Sequence, residues 1–69
     1  MPIDPAQLAA LNAIVRLGSF DAAASALNVS QPAISQRLKA LEEHVGTTLV
    51  HRAQPCTATP LGARLAKHA

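Results

Sequence analysis

About four residues, from Leu27 to Ser30, join two stretches whose apolar residues recur at helical spacing, and this short join constrains the chain more than any other feature. Before it, Phe20, Ala23, Ala24 and Leu27 follow an i, i+3, i+4, i+7 pattern that lays one apolar stripe along a helix. After it, Ile34, Leu38, Leu41 and Val45 form a second stripe. Between them, Asn28 tolerates a left-handed conformation, Val29 can plug the turn into the core, and Ser30 is a preferred helix cap. Pro32 falls in the first turn of the following helix, where its missing N–H costs little. A joint of that length between two such helices is how a helix-turn-helix is built, and it spans roughly residues 21–40 here.

The same punctuation divides the remainder. Asp4 is a cap, Pro5 suits the first helical position, and Gln7 stands where a reciprocal capping-box partner belongs. Leu8, Leu11, Ile14 and Val15 then repeat at helical spacing until Gly18 stops the first helix, and Ser19 caps the second. Gly46 ends the third. Thr47 to Arg52 favours a strand, Ala53, Gln54 and Pro55 a turn, and Cys56 to Thr59 a returning strand. A two-stranded hairpin of this kind is unstable alone, so it must lean on the helices as a wing. Thr59 and Pro60 then open a fourth helix carrying Leu61, Leu65 and Ala66. The expected fold is mainly α: a winged helix-turn-helix with a three-helix core, a short β-hairpin wing and the start of a fourth helix.

Composition narrows the function classes. The chain has 69 residues, enough for one small domain with a modest core. Apolar residues make up 49% and Phe20 is the one aromatic, a balance that favours close-packed short helices. A single aromatic cannot form the stacking platform that single-stranded nucleic acid requires. Net charge is +2, and Arg37, Lys39, Arg52, Arg64 and Lys67 all lie in the second half, where a polyanion would be held. One cysteine, Cys56, cannot make an internal disulfide, so a reducing, cytoplasmic setting is expected. No run of 18 apolar residues and no basic-then-apolar N-terminus is present, so neither a membrane span nor a signal peptide is expected. His44, His51 and His68 lack metal-ligand spacing even with Cys56 beside them, and no cofactor is expected. Nor is there a nucleophile–base constellation or a glycine-rich phosphate loop, so the chain is not expected to be an enzyme.

The third helix carries the sharpest chemical signal. With its stripe turned inward, its outward face holds Gln31, Pro32, Ser35, Gln36 and Lys39. An α-helix fits the major groove and reads base edges from its first turns. Gln can pair twice with adenine, Ser can bond to either base type, and Pro can touch a thymine methyl. Lys39 and Arg37 suit phosphates or guanine, and Arg52, on the wing, suits a minor groove or a phosphate. A small protein-interaction module is the competing class. Such a docking face, however, should carry aromatic or aliphatic anchors, and Gln31, Ser35 and Lys39 are poor ones.

Gly18-Ser19-Phe20, Ala22-Ala23-Ala24, Leu27, Ser30-Gln31-Pro32-Ala33-Ile34-Ser35, Leu38 and Leu41-Glu42, followed by Gly46, Leu49, Arg52, Thr59 and Gly62, resemble the signature of LysR-type transcriptional regulators. The similarity runs from about residue 5 to the end. It implies a sequence-specific module for double-stranded DNA, with base contacts at Gln31, Pro32 and Ser35. Backbone and wing contacts fall on Gln36, Arg37, Lys39 and Arg52, with Thr59, and the cap residue Ser30 joins the set. In this sequence Gln36 follows Ser35 where many members have arginine, and Val50 precedes His51 where many have phenylalanine. Both features, with Gln54-Pro55-Cys56, resemble the branch that controls lysine and arginine export. The resemblance further implies residues 1–59 as the DNA-binding domain and residues 60–69 as the start of a linker helix that pairs two copies on an interrupted palindrome, with tetramers for the whole regulator. The effector-binding domain would lie outside this sequence and take a small molecule such as a basic amino acid, so the chain is expected to be a piece of a longer protein.

Overall fold

A computed structural model describes residues 3–67; His68 and Ala69, the last two residues of the expected linker segment, lie outside the described residues. Four helices and one hairpin follow in order: α1 (Pro5–Leu17), α2 (Phe20–Leu27), α3 (Gln31–Val45), β1 (Val50–His51), β2 (Thr57–Ala58) and α4 (Pro60–Ala66).

Each helix starts on a side-chain oxygen that accepts an otherwise orphaned N–H. Asp4 Oδ1 accepts from Ala6 at 2.8 Å, Ser19 Oγ from Ala22 at 2.9 Å, Ser30 Oγ from Ala33 at 3.3 Å, and Thr59 Oγ1 from Gly62 at 3.1 Å. Pro5, Pro32 and Pro60 occupy first turns, where no partner is lost. The expected capping box at Asp4 takes a simpler form: the carboxylate bonds the second helical amide, and Gln7 donates its backbone N–H to the Asp4 carbonyl at 3.0 Å. The first three helices end on left-handed residues, Gly18 (φ 79°), Asn28 (φ 59°) and Gly46 (φ 83°). Asn28 lets Val29 donate back to the Ala24 carbonyl at 3.0 Å, so the turn of the helix-turn-helix closes within itself.

Helices α1, α2 and α3 pack pairwise into one core, and α1 also lies against α4. Leu11 and Ile14 from α1, Ile34, Leu38 and Leu41 from α3, and Leu49 beyond it are its large, fully buried side chains. The small residues Ala10, Ala13, Ala23 and Ala24 complete it, which is what lets three helices approach closely around so few large groups. Phe20, Leu27, Val29 and Val45 close its edges, partly buried.

The hairpin is shorter than its sequence suggests. Pairing is antiparallel but covers only Val50 opposite Ala58 and His51 opposite Thr57, so neither Thr47–Arg52 nor Cys56–Thr59 is a strand throughout. One further bond, from the Thr59 N–H to the Leu49 carbonyl at 3.0 Å, continues that register, and the other flanking groups bond elsewhere. The Leu49 N–H goes to Glu42 Oε2 at 2.8 Å, and the Thr48 carbonyl accepts the Thr59 hydroxyl at 3.0 Å. These bonds tie the residues before β1 to the end of α3 and the start of α4. No helix among the described residues is long and apolar enough to cross a membrane.

Candidate nucleic-acid interface

The start of α3 is held from behind and open in front. Ile34, Leu38 and Leu41 are fully buried, while Ser30, Gln31, Pro32, Gln36 and Lys39 are exposed. Ser35 and Arg37 are half-buried along the flanks of the same helix. Gln31 and Ser35 stand one turn apart, so they point to the same side. At 15 residues α3 is about 22 Å long, and its N-terminal half can lie in a major groove while its C-terminal half stays in the core. Ser30 has a second duty, because its hydroxyl already accepts the Ala33 N–H.

The hairpin brings Arg52 to a different place from the one a free wing tip would give. Its guanidinium carbon lies 4.8 Å from the centroid of the Phe20 ring, at the start of α2. That distance is a cation–π contact, and it leaves the side chain exposed. The backbone is latched close by. The Cys56 N–H donates to the Gly18 carbonyl at 2.8 Å, and a Cβ on Gly18 would sit 3.1 Å from Pro55 Cβ. The wing is therefore fastened to the α1–α2 turn at Gly18 and at Phe20. Cys56 is buried as a small packing residue of the core.

Thr59 does not fit its expected part as a backbone contact. It is 8% exposed, and its hydroxyl donates its one proton to the Thr48 carbonyl while accepting from Gly62. It is a structural cap and has no proton left for a phosphate.

Three contributors escape a reading of single positions. Glu42 orders the Leu49 amide, and beyond its place in the family signature its sequence signal is an acid four residues after Leu38 and three before Val45, on the apolar side of α3, where a carboxylate needs a donor. Gly62 packs so closely that an added Cβ would fall on the Leu49 carbonyl oxygen, 2.9 Å from its carbon. Asn12 donates through Nδ2 to the Ala66 carbonyl at 3.2 Å and fixes α4 against α1.

Residues 5–63 match the family described as bacterial regulatory helix-turn-helix protein, lysR family. The HTH-type transcriptional regulator LysG of Mycobacterium tuberculosis is 58% identical over 60 residues, covering 87% of this chain and 20% of that protein. The chain thus spans about a fifth of the length of the curated relatives it matches. The crystal structure of ArgP from Mycobacterium tuberculosis superposes with a TM-score of 0.94 at 54% identity, over 99% of this chain and 26% of the other. Full-length LysG from Corynebacterium glutamicum with bound effector Arg gives 0.90 at 49% identity, over 94% and 22%. The DNA-binding domain of BenM in complex with its benA site 1 DNA gives 0.86 at 32% identity, over 99% and 75%.

Proposed function

Because the chain belongs to the LysR family of bacterial regulatory helix-turn-helix proteins, we propose that it is a sequence-specific reader of double-stranded DNA, the DNA-binding module of a transcriptional regulator. The observation that carries this is the start of α3, where Gln31 and Pro32 stand exposed, with Ser35 beside them, on a helix anchored by three fully buried side chains. A rigid backing matters because base readout needs donors held in register before the DNA arrives. Gln31, Pro32 and Ser35 read base edges. Gln36, Arg37 and Lys39 hold phosphates, Arg52 extends the footprint from the wing, and Ser30 caps the helix at the DNA surface. The likeness to a solved DNA-binding domain on its DNA supports the same placement. None of these contacts is catalytic, and the module works by binding alone.

In the longer protein, α4 begins a linker helix through which two copies pair on an interrupted palindrome. A domain outside this chain takes a basic amino acid as effector. The names of the LysG and ArgP relatives, and the arginine bound in one of the similar structures, support that choice of ligand class.

The test is a fluorescence-anisotropy titration against a palindromic duplex selected from random sequence, beside a scrambled duplex, at two salt concentrations. Tighter binding to the selected duplex, weakening steeply with salt, is expected. Equal binding to both duplexes, by the chain as it stands and by two copies covalently joined, would refute sequence reading.

A further inference from the structure

We infer that Phe20 is a positioning residue for DNA binding, acting through Arg52: its ring seats the wing cation so that the side chain is already placed for a phosphate when DNA arrives. The inference rests on the proposal that the chain binds duplex DNA. Arginine presents five N–H donors in a flat fork and ordinarily samples many rotamers. Here the guanidinium carbon lies over a ring 4.8 Å away while the side chain remains exposed, so N–H donors turned from the ring are open to an anion. Holding the side chain beforehand removes the ordering cost that binding would otherwise carry.

The setting makes Phe20 suited to this part. It begins α2, directly after the Ser19 cap that fixes where the helix starts. It packs on the edge of the core, so its ring cannot swing freely. Two residues earlier, the Gly18 carbonyl holds the Cys56 N–H and so fixes the return arm of the hairpin. Arg52 and Cys56 flank the wing turn, and both are fastened to the same three residues, Gly18 to Phe20. The wing cation is thereby locked to the first helix of the helix-turn-helix, and through it to α3. A change at Phe20 should then alter DNA affinity without Phe20 touching DNA.

A double-mutant cycle read by the same anisotropy titration on the selected duplex tests this. Phe20→Leu keeps apolar bulk and removes the ring face, and it should weaken binding roughly three- to ten-fold. Arg52→Ala should weaken it at least as much and lower the salt slope. The double variant should bind no more weakly than Arg52→Ala alone, and Phe20→Tyr, which keeps the ring, should bind as the wild type does. Thermal unfolding accompanies each variant, and Phe20→Met replaces Phe20→Leu in the cycle if the latter unfolds. A purely structural Phe20 would weaken binding equally in the Arg52 and Arg52→Ala backgrounds, and that additive cycle overturns the inference alone. A wild-type chain that prefers neither duplex overturns the DNA proposal and this inference with it.

Discussion

Helix α3 and the hairpin are both proposed to face DNA, yet they are held in place by different kinds of interaction. Helix α3 is fixed by buried volume: Ile34, Leu38 and Leu41 vanish into a core shared with α1 and α2. The hairpin seats only the small side chains Val50 and Cys56 in that core, and its orientation is set in addition by individual polar and close contacts, namely the Cys56 N–H on Gly18, Arg52 on Phe20, the Thr59 hydroxyl between Thr48 and Gly62, and Glu42 on the Leu49 amide. Volume is forgiving of sequence and delivers a rigid rod. Point contacts are less forgiving, but they let a two-residue ladder, too short to stand alone, hold one orientation.

The contrast is open to breakage. Leu38→Ala should have the largest effect. It removes a fully buried side chain at a cost of about 2–5 kcal/mol, comparable to the whole stability of a domain this small. Circular dichroism should show α-helix loss, and the hairpin should melt with it, since Leu49 shares that core. A hairpin that survives the helices would show that the two regions are separable after all.

Gly62→Ala should act next, and locally. The new methyl meets the Leu49 carbonyl, and relief by backbone movement should cost about 1–3 kcal/mol. Amide exchange should quicken at Leu49 and Thr59 while the middle of α1 and α3 stays protected. Thr59→Val keeps the shape and removes the hydroxyl, leaving the Gly62 N–H and the Thr48 carbonyl without their partner, for about 1–2 kcal/mol. A smaller drop in melting temperature than for Gly62→Ala would rank close packing above the cap at this joint. Least disruptive is Lys39→Ala. On an exposed face it should leave stability within about 0.5 kcal/mol while lowering the salt slope of DNA binding by about one. An unchanged slope would remove Lys39 from the phosphate contacts.

The same contrast explains what was legible in the sequence. Ser19, Ser30, Pro32, Gly18, Asn28 and Gly46 announce their helix ends because a cap or a left-handed turn is a property of one residue and its nearest neighbours. The apolar stripes place α3's outward face in the same way, so Gln31, Gln36 and Lys39 emerge as exposed from spacing alone. The wing is different. Thr48 and Leu49 have strand-like composition, but the Leu49 N–H and the Thr48 carbonyl are claimed by the side chains of Glu42 and Thr59, partners set by tertiary packing. Likewise, Thr59 is legible as the cap of α4, but the Thr48 carbonyl that takes its proton is a tertiary partner, and nothing in the spacing of Phe20 and Arg52 suggests that they meet.

The local character of the helix caps also bears on the order of folding. Each cap bond spans only two or three residues, so every helix start can form and dissolve rapidly in the unfolded chain before any tertiary contact exists. Helices this short do not persist alone and must condense with one another, as local topologies do quickly. The contacts that span the chain, such as Asn12 with Ala66 across 54 residues and Gly18 with Cys56, can close only after that condensation. Substitutions at the latch should therefore leave the folding rate nearly untouched and shorten the lifetime of the folded state, whereas substitutions in the helical core should slow folding itself.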